Sequence, residues 1–130
     1  MEDFNKLALR AVDLQNSKDY EASKKIYLSL LKLQPNNKQI LRLLALVEYE
    51  LKNYKISLKL LENCLNLDKH NTEAILNKAM VLTKIKNFKE AEGIYLELLK
   101  KEKIDLVVAI HMAGHSAEMK KLSNLKKKYK

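Results

Sequence analysis

The sequence predicts an all-α protein made of stacked helix pairs, with residues 1–130 forming one domain. The first observation is the scarcity of turn-forming residues. Two Gly and one Pro in 130 residues are too few to build many tight β-hairpins or bulges. The second is the abundance of Leu, Lys, Glu and Ala, which favour helices. The third is that the chain resembles itself when it is shifted by 34 residues, which is typical of repeat architectures.

Four columns of similar residues recur at the 34-residue offset. They hold a small residue, two residues of the N-cap type and a large apolar residue: Ala11, Ala45, Ala79 and Ala113; Asp3, Asn37, Asn71 and Asp105; Asp19, Asn53 and Asn87; Tyr20, Tyr54, Phe88 and Leu122. Asp and Asn cap helices because their side-chain oxygens accept hydrogen bonds from the first turn. Two cap columns in each period therefore predict two helices per repeat, each of roughly 13 to 15 residues.

Each predicted helix has a position in this scheme. The first helix of a repeat follows the first cap and carries the Ala midway, where a small side chain permits close approach of the second helix. The second helix follows the second cap and starts with the large apolar residue, which fills the junction between the two helices. Apolar residues then recur at steps of three and four, as in Tyr20, Ser23, Tyr27, Leu30 and Leu31, which is the spacing of one helix face.

This pattern resembles the tetratricopeptide repeat family. The family pattern places Trp-x2-Leu-Gly-x2-Tyr on the first helix, then Ala-x3-Phe, then Pro. The matching residues are Leu7, Arg10, Ala11, Leu14, Ser23, Tyr27 and Pro35 in repeat 4–37; Leu41, Leu44, Ala45, Glu48, Ser57 and Leu61 in repeat 38–71; Ile75, Lys78, Ala79, Leu82, Ala91 and Tyr95 in repeat 72–105. Arg10 and Lys78 depart from a usually apolar column, which suggests looser packing or snorkelling side chains. Residues 106–130 are interpreted as a partial fourth repeat or a capping helix.

The resemblance implies an α-solenoid, a right-handed superhelix whose concave face is lined by the first helices. Those helices carry more apolar residues than packing onto their partners needs, which indicates either burial between repeats or a binding surface. The predicted groove comprises Asn5, Ala8, Val12, Gln39, Arg42, Leu43, Leu46, Tyr49, Glu73, Leu76, Asn77 and Met80. Arg42 is the predicted polar anchor, since it is one of two Arg in a Lys-rich chain.

The resulting functional prediction is a non-catalytic scaffold that binds a peptide or an amphipathic helix of a partner protein. Members of the family that bind chaperones hold a peptide's terminal carboxylate with basic and amide side chains. The matching positions here are Ala8, Val12, Leu43, Glu73 and Asn77, none of them basic, which argues against acidic chaperone tails. Alternatives left open are the arm of a larger enzyme, a basic binder of nucleic acid or membrane, and a homo-oligomer.

Other signals are weaker and predict no enzyme, cofactor or metal site. His111, His115 and Glu118 share a helix side but form an isolated cluster, interpreted as surface or groove residues. Cys64 is predicted to be a small core residue. The net charge of +9 resides mainly in 120–130, with six Lys and no acid, read as a solvated cap and not as a nucleic-acid site. No signal peptide or membrane-spanning run is evident, which predicts a cytoplasmic protein.

Overall fold

A computed structural model describes residues 3–101, which form six α-helices and no strand within that range. The helices are α1 (Phe4–Asn16), α2 (Tyr20–Leu33), α3 (Lys38–Glu50), α4 (Tyr54–Leu67), α5 (Thr72–Lys84) and α6 (Phe88–Lys100). Each has 13 or 14 residues, as the spacing of the cap columns predicts. The all-α class with helices packed in pairs is confirmed.

The first cap column starts the first helix of every repeat. The carboxylate of Asp3 accepts from the Lys6 N–H at 2.8 Å, and the amide oxygen of Asn37 accepts from the Ile40 N–H at 3.0 Å. Asn71 does the same for Ala74 at 3.1 Å. In each repeat one of the otherwise unpaired N–H groups of the first turn is therefore satisfied.

The second cap column occupies the N-cap positions of α2, α4 and α6 as predicted, but only Asp19 makes a side-chain cap bond. Asp19 caps α2 by accepting from the Ala22 N–H at 3.4 Å. Asn53 and Asn87 make no side-chain cap bond, and their amide nitrogens donate to nearby carboxylates. Asn53 Nδ2 lies 3.4 Å from Glu48 Oε1, and Asn87 Nδ2 lies 3.0 Å from Glu90 Oε2.

Within each repeat, the first helix ends in the same left-handed turn. Lys18, Lys52 and Lys86 have φ angles of 67°, 66° and 66°. In the first repeat the Lys18 N–H donates to the Gln15 carbonyl at 3.0 Å and the Asp19 N–H donates to the Leu14 carbonyl at 2.8 Å. This is the Schellman arrangement, which usually employs glycine at the left-handed position. The same two bonds recur 34 residues later and again in the third repeat.

The chain divides into two compact units, Met1–Ala74 and Ile75–Lys130, called unit 1 and unit 2. In unit 1, α1 packs on α2, α2 on α3, and α3 on α4. The helices share a core cluster of six buried residues: Ala11, Tyr27, Leu30, Ile40, Leu44 and Val47. Half-buried Tyr20 packs against the same cluster, consistent with its predicted place at the helix junction.

The Ala column is buried as predicted, and Ala11, Ala45 and Ala79 have no exposed surface. In the first two repeats the close approach brings a buried hydroxyl against the first helix. Ser23 Oγ donates to the Ala11 carbonyl at 2.7 Å, and Ser57 Oγ donates to the Ala45 carbonyl at 2.7 Å. The small side chain of Ala thus exposes its own backbone carbonyl to the partner helix.

Unit 2 contains most of α5 and all of α6. Its described core residues are the apolar side chains Ala79, Val81, Leu82, Ala91, Tyr95 and Leu98. Lys78, one of the two departures from the apolar column, is partly exposed and extends to Glu90 on α6, with 3.9 Å between Nζ and Oε1. This agrees with a snorkelling lysine. The predictions for 106–130, including His111, His115 and Glu118, fall outside the described residues.

Candidate functional site

The predicted groove residues of unit 1 lie on α1, on α3 and in the first turn of α5. Asn5 and Gln39 are exposed, and so is Glu73. Ala8, Val12, Arg42, Leu43, Leu46 and Tyr49 are half-buried. The first helices therefore present a surface that is apolar and partly accessible, with polar residues at the ends nearest the helix N-termini.

Three of these apolar residues also belong to the core. Ala8 and Val12 of α1 and Leu43 of α3 pack against the six-residue core cluster of unit 1. Their inner atoms therefore stabilise the fold, while their remaining surface is accessible from outside. The sequence left open whether Leu43 is core or groove, and the structure shows that it contacts the core and is only half-buried.

Arg42, the predicted polar anchor, is engaged by another predicted groove residue. Its Nη2 lies 3.0 Å from Glu73 Oε2, with 16% of the Arg42 side chain exposed against 71% for Glu73. A second ion pair involves the same helix: Lys38 Nζ lies 3.1 Å from Asp68 Oδ2. Lys38 and Arg42 are four residues apart on α3 and so share a face. This end of the face is consequently close to neutral.

Leu46 and Tyr49 lie farther along α3. The Tyr49 ring meets the Tyr54 ring of α4 edge to face, with centroids 5.8 Å apart and planes at 64°. Burial raises the pKa of the Tyr49 phenol, and the neighbouring Glu50 and Tyr54 raise it further. The ring of Tyr49 thus packs against the first residue of α4. Leu46 has no contact with the core cluster of the kind that Leu43 makes.

Unit 2 contributes the predicted residues of α5. Leu76, Asn77 and Met80 are all half-buried. Asn77 Nδ2 lies 3.7 Å from Met80 Sδ, so these two side chains are neighbours on one face of the helix, as their three-residue spacing requires.

Two polar contacts in unit 1 were missed at the sequence level. Glu48 of α3 is buried and pairs with Lys24 of α2, with 3.0 Å between Oε1 and Nζ. Tyr27 is fully buried, and its hydroxyl donates to Gln15 Oε1 at 2.7 Å. Burial raises the pKa of Tyr27, against smaller lowering effects of Ser23 and Arg42. The only sequence signal for the first contact is an acid in a column that holds Leu14 and Leu82 in the other repeats.

Cys64 is a buried core residue, as predicted. Its Sγ lies 3.3 Å from the Lys38 carbonyl, and burial is the main cause that raises the pKa of the thiol. A neutral, inaccessible thiol is a poor nucleophile. Within residues 3–101, no group of three or more His, Cys, Asp or Glu residues is placed to hold a metal ion. None of the described helices has the length and apolarity needed to cross a bilayer.

No protein-family profile matches the chain, and no curated protein matches it in sequence. Solved structures do match. A tetratricopeptide repeat protein from Parabacteroides merdae has a TM-score of 0.79 and 19% identity, over 99% of this chain and 53% of that one. The first TPR of Spaghetti, solved with the HSP90 peptide SRMEEVD, has a TM-score of 0.75 and 16% identity, over 95% and 93%.

A mutant of the Thermobaculum terrenum O-GlcNAc transferase has a TM-score of 0.76 and 23% identity. That match covers 88% of this chain but only 22% of the transferase. Paired helices of constant length, the buried Ala column and the recurring turns agree with these likenesses. The chain has the tetratricopeptide repeat fold.

Proposed function

We propose that this protein is a non-catalytic scaffold that binds a peptide or an amphipathic helix of a partner protein over the first helices of its repeats. The observation that carries the proposal is the half-buried apolar surface of α1 and α3, formed by Ala8, Val12, Leu43 and Leu46. Such a surface suits side chains spaced three and four apart on a docked helix, or alternate side chains of an extended peptide.

The polar residues around this surface suggest what is bound. The Arg42 guanidinium is already engaged by Glu73, and the positions that match the chaperone clamp carry no basic residue. Recognition would therefore depend on apolar contacts, with Asn5 and Gln39 offering hydrogen bonds at the rim. The first TPR of Spaghetti binds an HSP90 peptide, which supports peptide binding by this fold. We propose a different, less acidic ligand for this chain.

The proposal is tested by affinity capture from the native lysate, with mass spectrometry to identify the captured protein. Leu46→Asp in unit 1 should reduce capture about tenfold or more, because a charge in an apolar contact must be desolvated on binding. The matched control is Leu28→Asp, the same change at an exposed residue of α2, which should leave capture unchanged.

Circular dichroism of every variant separates the two interpretations of Leu46. Loss of helicity in Leu46→Asp would mean that Leu46 is structural and would remove the groove from consideration. Full helicity together with unchanged capture would also contradict the proposal. The proposed location is the cytoplasm, and the expectation that no cofactor or catalytic residue is involved belongs to the same proposal.

A second candidate function is the arm of a larger enzyme. It is favoured by the match to the O-GlcNAc transferase, of which this chain covers 22%. Sequencing the reading frame beyond Lys130 tests it: a catalytic domain in the same frame would support the arm, and a stop codon directly after Lys130 would contradict it.

A further inference from the structure

The second helices of unit 1 share an exposed stripe of lysines. On α2, Lys25, Leu28 and Lys32 are exposed and lie within roughly 60° of one another around the helix at 100° per residue. On α4, Lys55 and Lys59 are exposed and one turn apart. Lys25 and Lys59 occupy the same column of the 34-residue repeat. We call Lys25, Lys32, Lys55 and Lys59 the lysine face.

Both helices belong to unit 1 and pack on the same first helix, α3. Half-buried Leu60 of α4 packs against the cluster that contains Tyr27 and Leu30 of α2. Both helices therefore bury their inner sides against the same core and expose the opposite sides. The turns that lead into α2 and α4 add exposed Lys18 and Lys52, again in one column.

The ammonium groups of the lysine face are not neutralised by ion pairs. In the described part of the chain, salt bridges engage Lys24, Lys38, Arg42, Lys78 and Lys101, and no member of the lysine face. The exposed acids on α2 and α4 are Glu21 and Glu62. With the two turn lysines and the exposed N-cap Asp19 included, six lysines stand against three acids and leave a positive surface.

The same two helices expose large aliphatic side chains beside these lysines. Leu28 is 44% exposed, Leu33 69%, Ile56 50% and Leu67 46%. Four of the six large hydrophobic residues that are exposed in residues 3–101 are thus on α2 and α4. Leu33 and Leu67 again occupy one column, at the C-terminal ends of their helices. Single exposed leucines need no explanation, but their recurrence beside the lysines does.

The third repeat provides an internal reference, since it keeps one exposed lysine, Lys89 in the column of Lys55, but not the other features of this surface. The column of Lys25 and Lys59 holds Gly93, and the column of Leu33 and Leu67 holds Lys101. Lys101 is paired with Glu97 at 3.1 Å. The combination of unneutralised lysines and exposed aliphatic residues is therefore a property of the second helices of unit 1.

We propose that this face of α2 and α4 binds the surface of an anionic lipid bilayer. Ammonium groups attract lipid phosphates and carboxylates, while neighbouring Leu and Ile side chains enter the boundary between headgroups and acyl chains. A nucleic acid would be better matched by aromatic or Arg side chains that stack on bases, and the face contains neither. The surface is distinct from the first-helix surface proposed to bind a peptide.

The test is co-sedimentation of the full chain with vesicles at low salt. Vesicles of phosphatidylcholine alone are compared with vesicles of phosphatidylcholine and phosphatidylserine in equal parts. The wild type should bind the anionic vesicles at least about tenfold more strongly, and this binding should weaken as salt is raised. Lys25→Glu/Lys59→Glu should reduce binding to anionic vesicles about tenfold.

The matched control is Lys6→Glu/Lys84→Glu, which makes the same charge change on exposed residues of the first helices α1 and α5. It should retain binding within about twofold of the wild type. Equal losses in both double variants would attribute binding to net charge, and no loss in either would attribute it to the Lys-rich terminal segment. Either result overturns the proposal.

A third variant, Leu33→Ser/Leu67→Ser, tests the apolar contribution. It should bind weakly at low salt and lose the residual binding that the wild type keeps at high salt, because only the aliphatic contact resists screening. All variants are checked for helicity. Binding of the wild type to a DNA or RNA oligonucleotide but not to vesicles, or to neither, would also overturn the proposal.

Discussion

The first helices of the two repeats in unit 1, α1 and α3, have the same length but bury very different numbers of residues. In α1 only Ala11 is buried, whereas α3 buries Ile40, Leu41, Leu44, Ala45, Val47 and Glu48. The reason is position, because α3 packs against both α2 and α4, while α1 packs on α2. At the columns of Ile40, Leu44 and Val47, α1 carries the exposed residues Lys6, Arg10 and Asp13.

This difference separates two kinds of column in the repeat. Ala11 and Ala45 are buried alike, because that column packs the two helices of one repeat together. The columns of Leu44 and Val47 are buried in α3, which packs on α2 as well as on α4, whereas α1 exposes Arg10 and Asp13 there. The third repeat has the half-buried Lys78 in the column of Leu44. Arg10, a departure from the family pattern, is exposed in the structure and needs no looser packing to accommodate it.

The largest expected effect comes from exchanging residue types between these equivalent positions. Leu44→Arg places a charge at a site that is 2% exposed and should reduce the free energy of unfolding by about 3 kcal/mol or more. The reciprocal change Arg10→Leu should alter it by less than about 1 kcal/mol, because the site is on the surface. Urea denaturation of both variants measures their free energies of unfolding. Similar losses in the two variants would contradict the distinction between the buried position in α3 and the exposed position in α1.

A smaller effect is expected from the ion pair that joins the repeats. Lys24→Ala removes the cation from the buried Glu48 carboxylate and should cost about 1 to 3 kcal/mol. Lys24→Met/Glu48→Leu should recover most of this loss, since Leu is the residue that α1 has in the same column, at Leu14. Thermal unfolding measures both. An unchanged unfolding temperature for Lys24→Ala would mean that the ion pair contributes nothing to stability.

At the column of the buried serines, we expect substitutions to affect stability differently in the first two repeats and in the third. Ser23→Ala and Ser57→Ala each remove a 2.7 Å bond to an Ala carbonyl and should cost about 1 kcal/mol. Ala91→Ser, at the same column, should not stabilise the chain and should cost about 1 kcal/mol if its buried hydroxyl finds no partner, because Thr83 Oγ1 already donates to the Ala79 carbonyl at 2.9 Å. A clear gain in stability for Ala91→Ser would contradict this reasoning.

The smallest effect concerns the turns, which are alike in all three repeats. Lys18→Gly and Lys52→Gly should each stabilise the chain by up to about 1 kcal/mol, because glycine adopts positive φ without steric cost. Lys25→Gly within α2 is the control and should destabilise by about 1 kcal/mol. Destabilisation by all three changes would show that the lysine side chains at the turns make a contribution that outweighs the backbone strain.

Much of the fold was predictable because its determinants are local. The caps at Asp3, Asn37 and Asn71 act within one helical turn, so their spacing predicts helix starts and lengths. Asn53 and Asn87 occupy N-cap positions without a side-chain cap bond, and their amide nitrogens donate to Glu48 and Glu90. The Glu48–Lys24 pair depends on how α2 lies against α3, which no local pattern specifies.

The candidate site was predictable only in part for the same reason. The periodicity of α3 shows that Leu43, Leu46 and Tyr49 lie outside the face that packs on the partner helix of the same repeat. It does not indicate which residues they contact. Leu43 packs on the core cluster of unit 1, and Tyr49 packs on Tyr54. Arg42 is paired with a residue 31 positions later. These contacts follow from the stacking of repeats and not from the helix pattern.

We propose that the first helices of the repeats, and not the second helices, contact the protein partner. The most direct test places a photo-crosslinking amino acid at Leu46 on α3 or at Asn63, an exposed residue of α4, followed by irradiation in the native lysate. We expect one dominant protein adduct from position 46 and none of that mass from position 63. An equal adduct from both positions, or an adduct from position 63 alone, would contradict the claim.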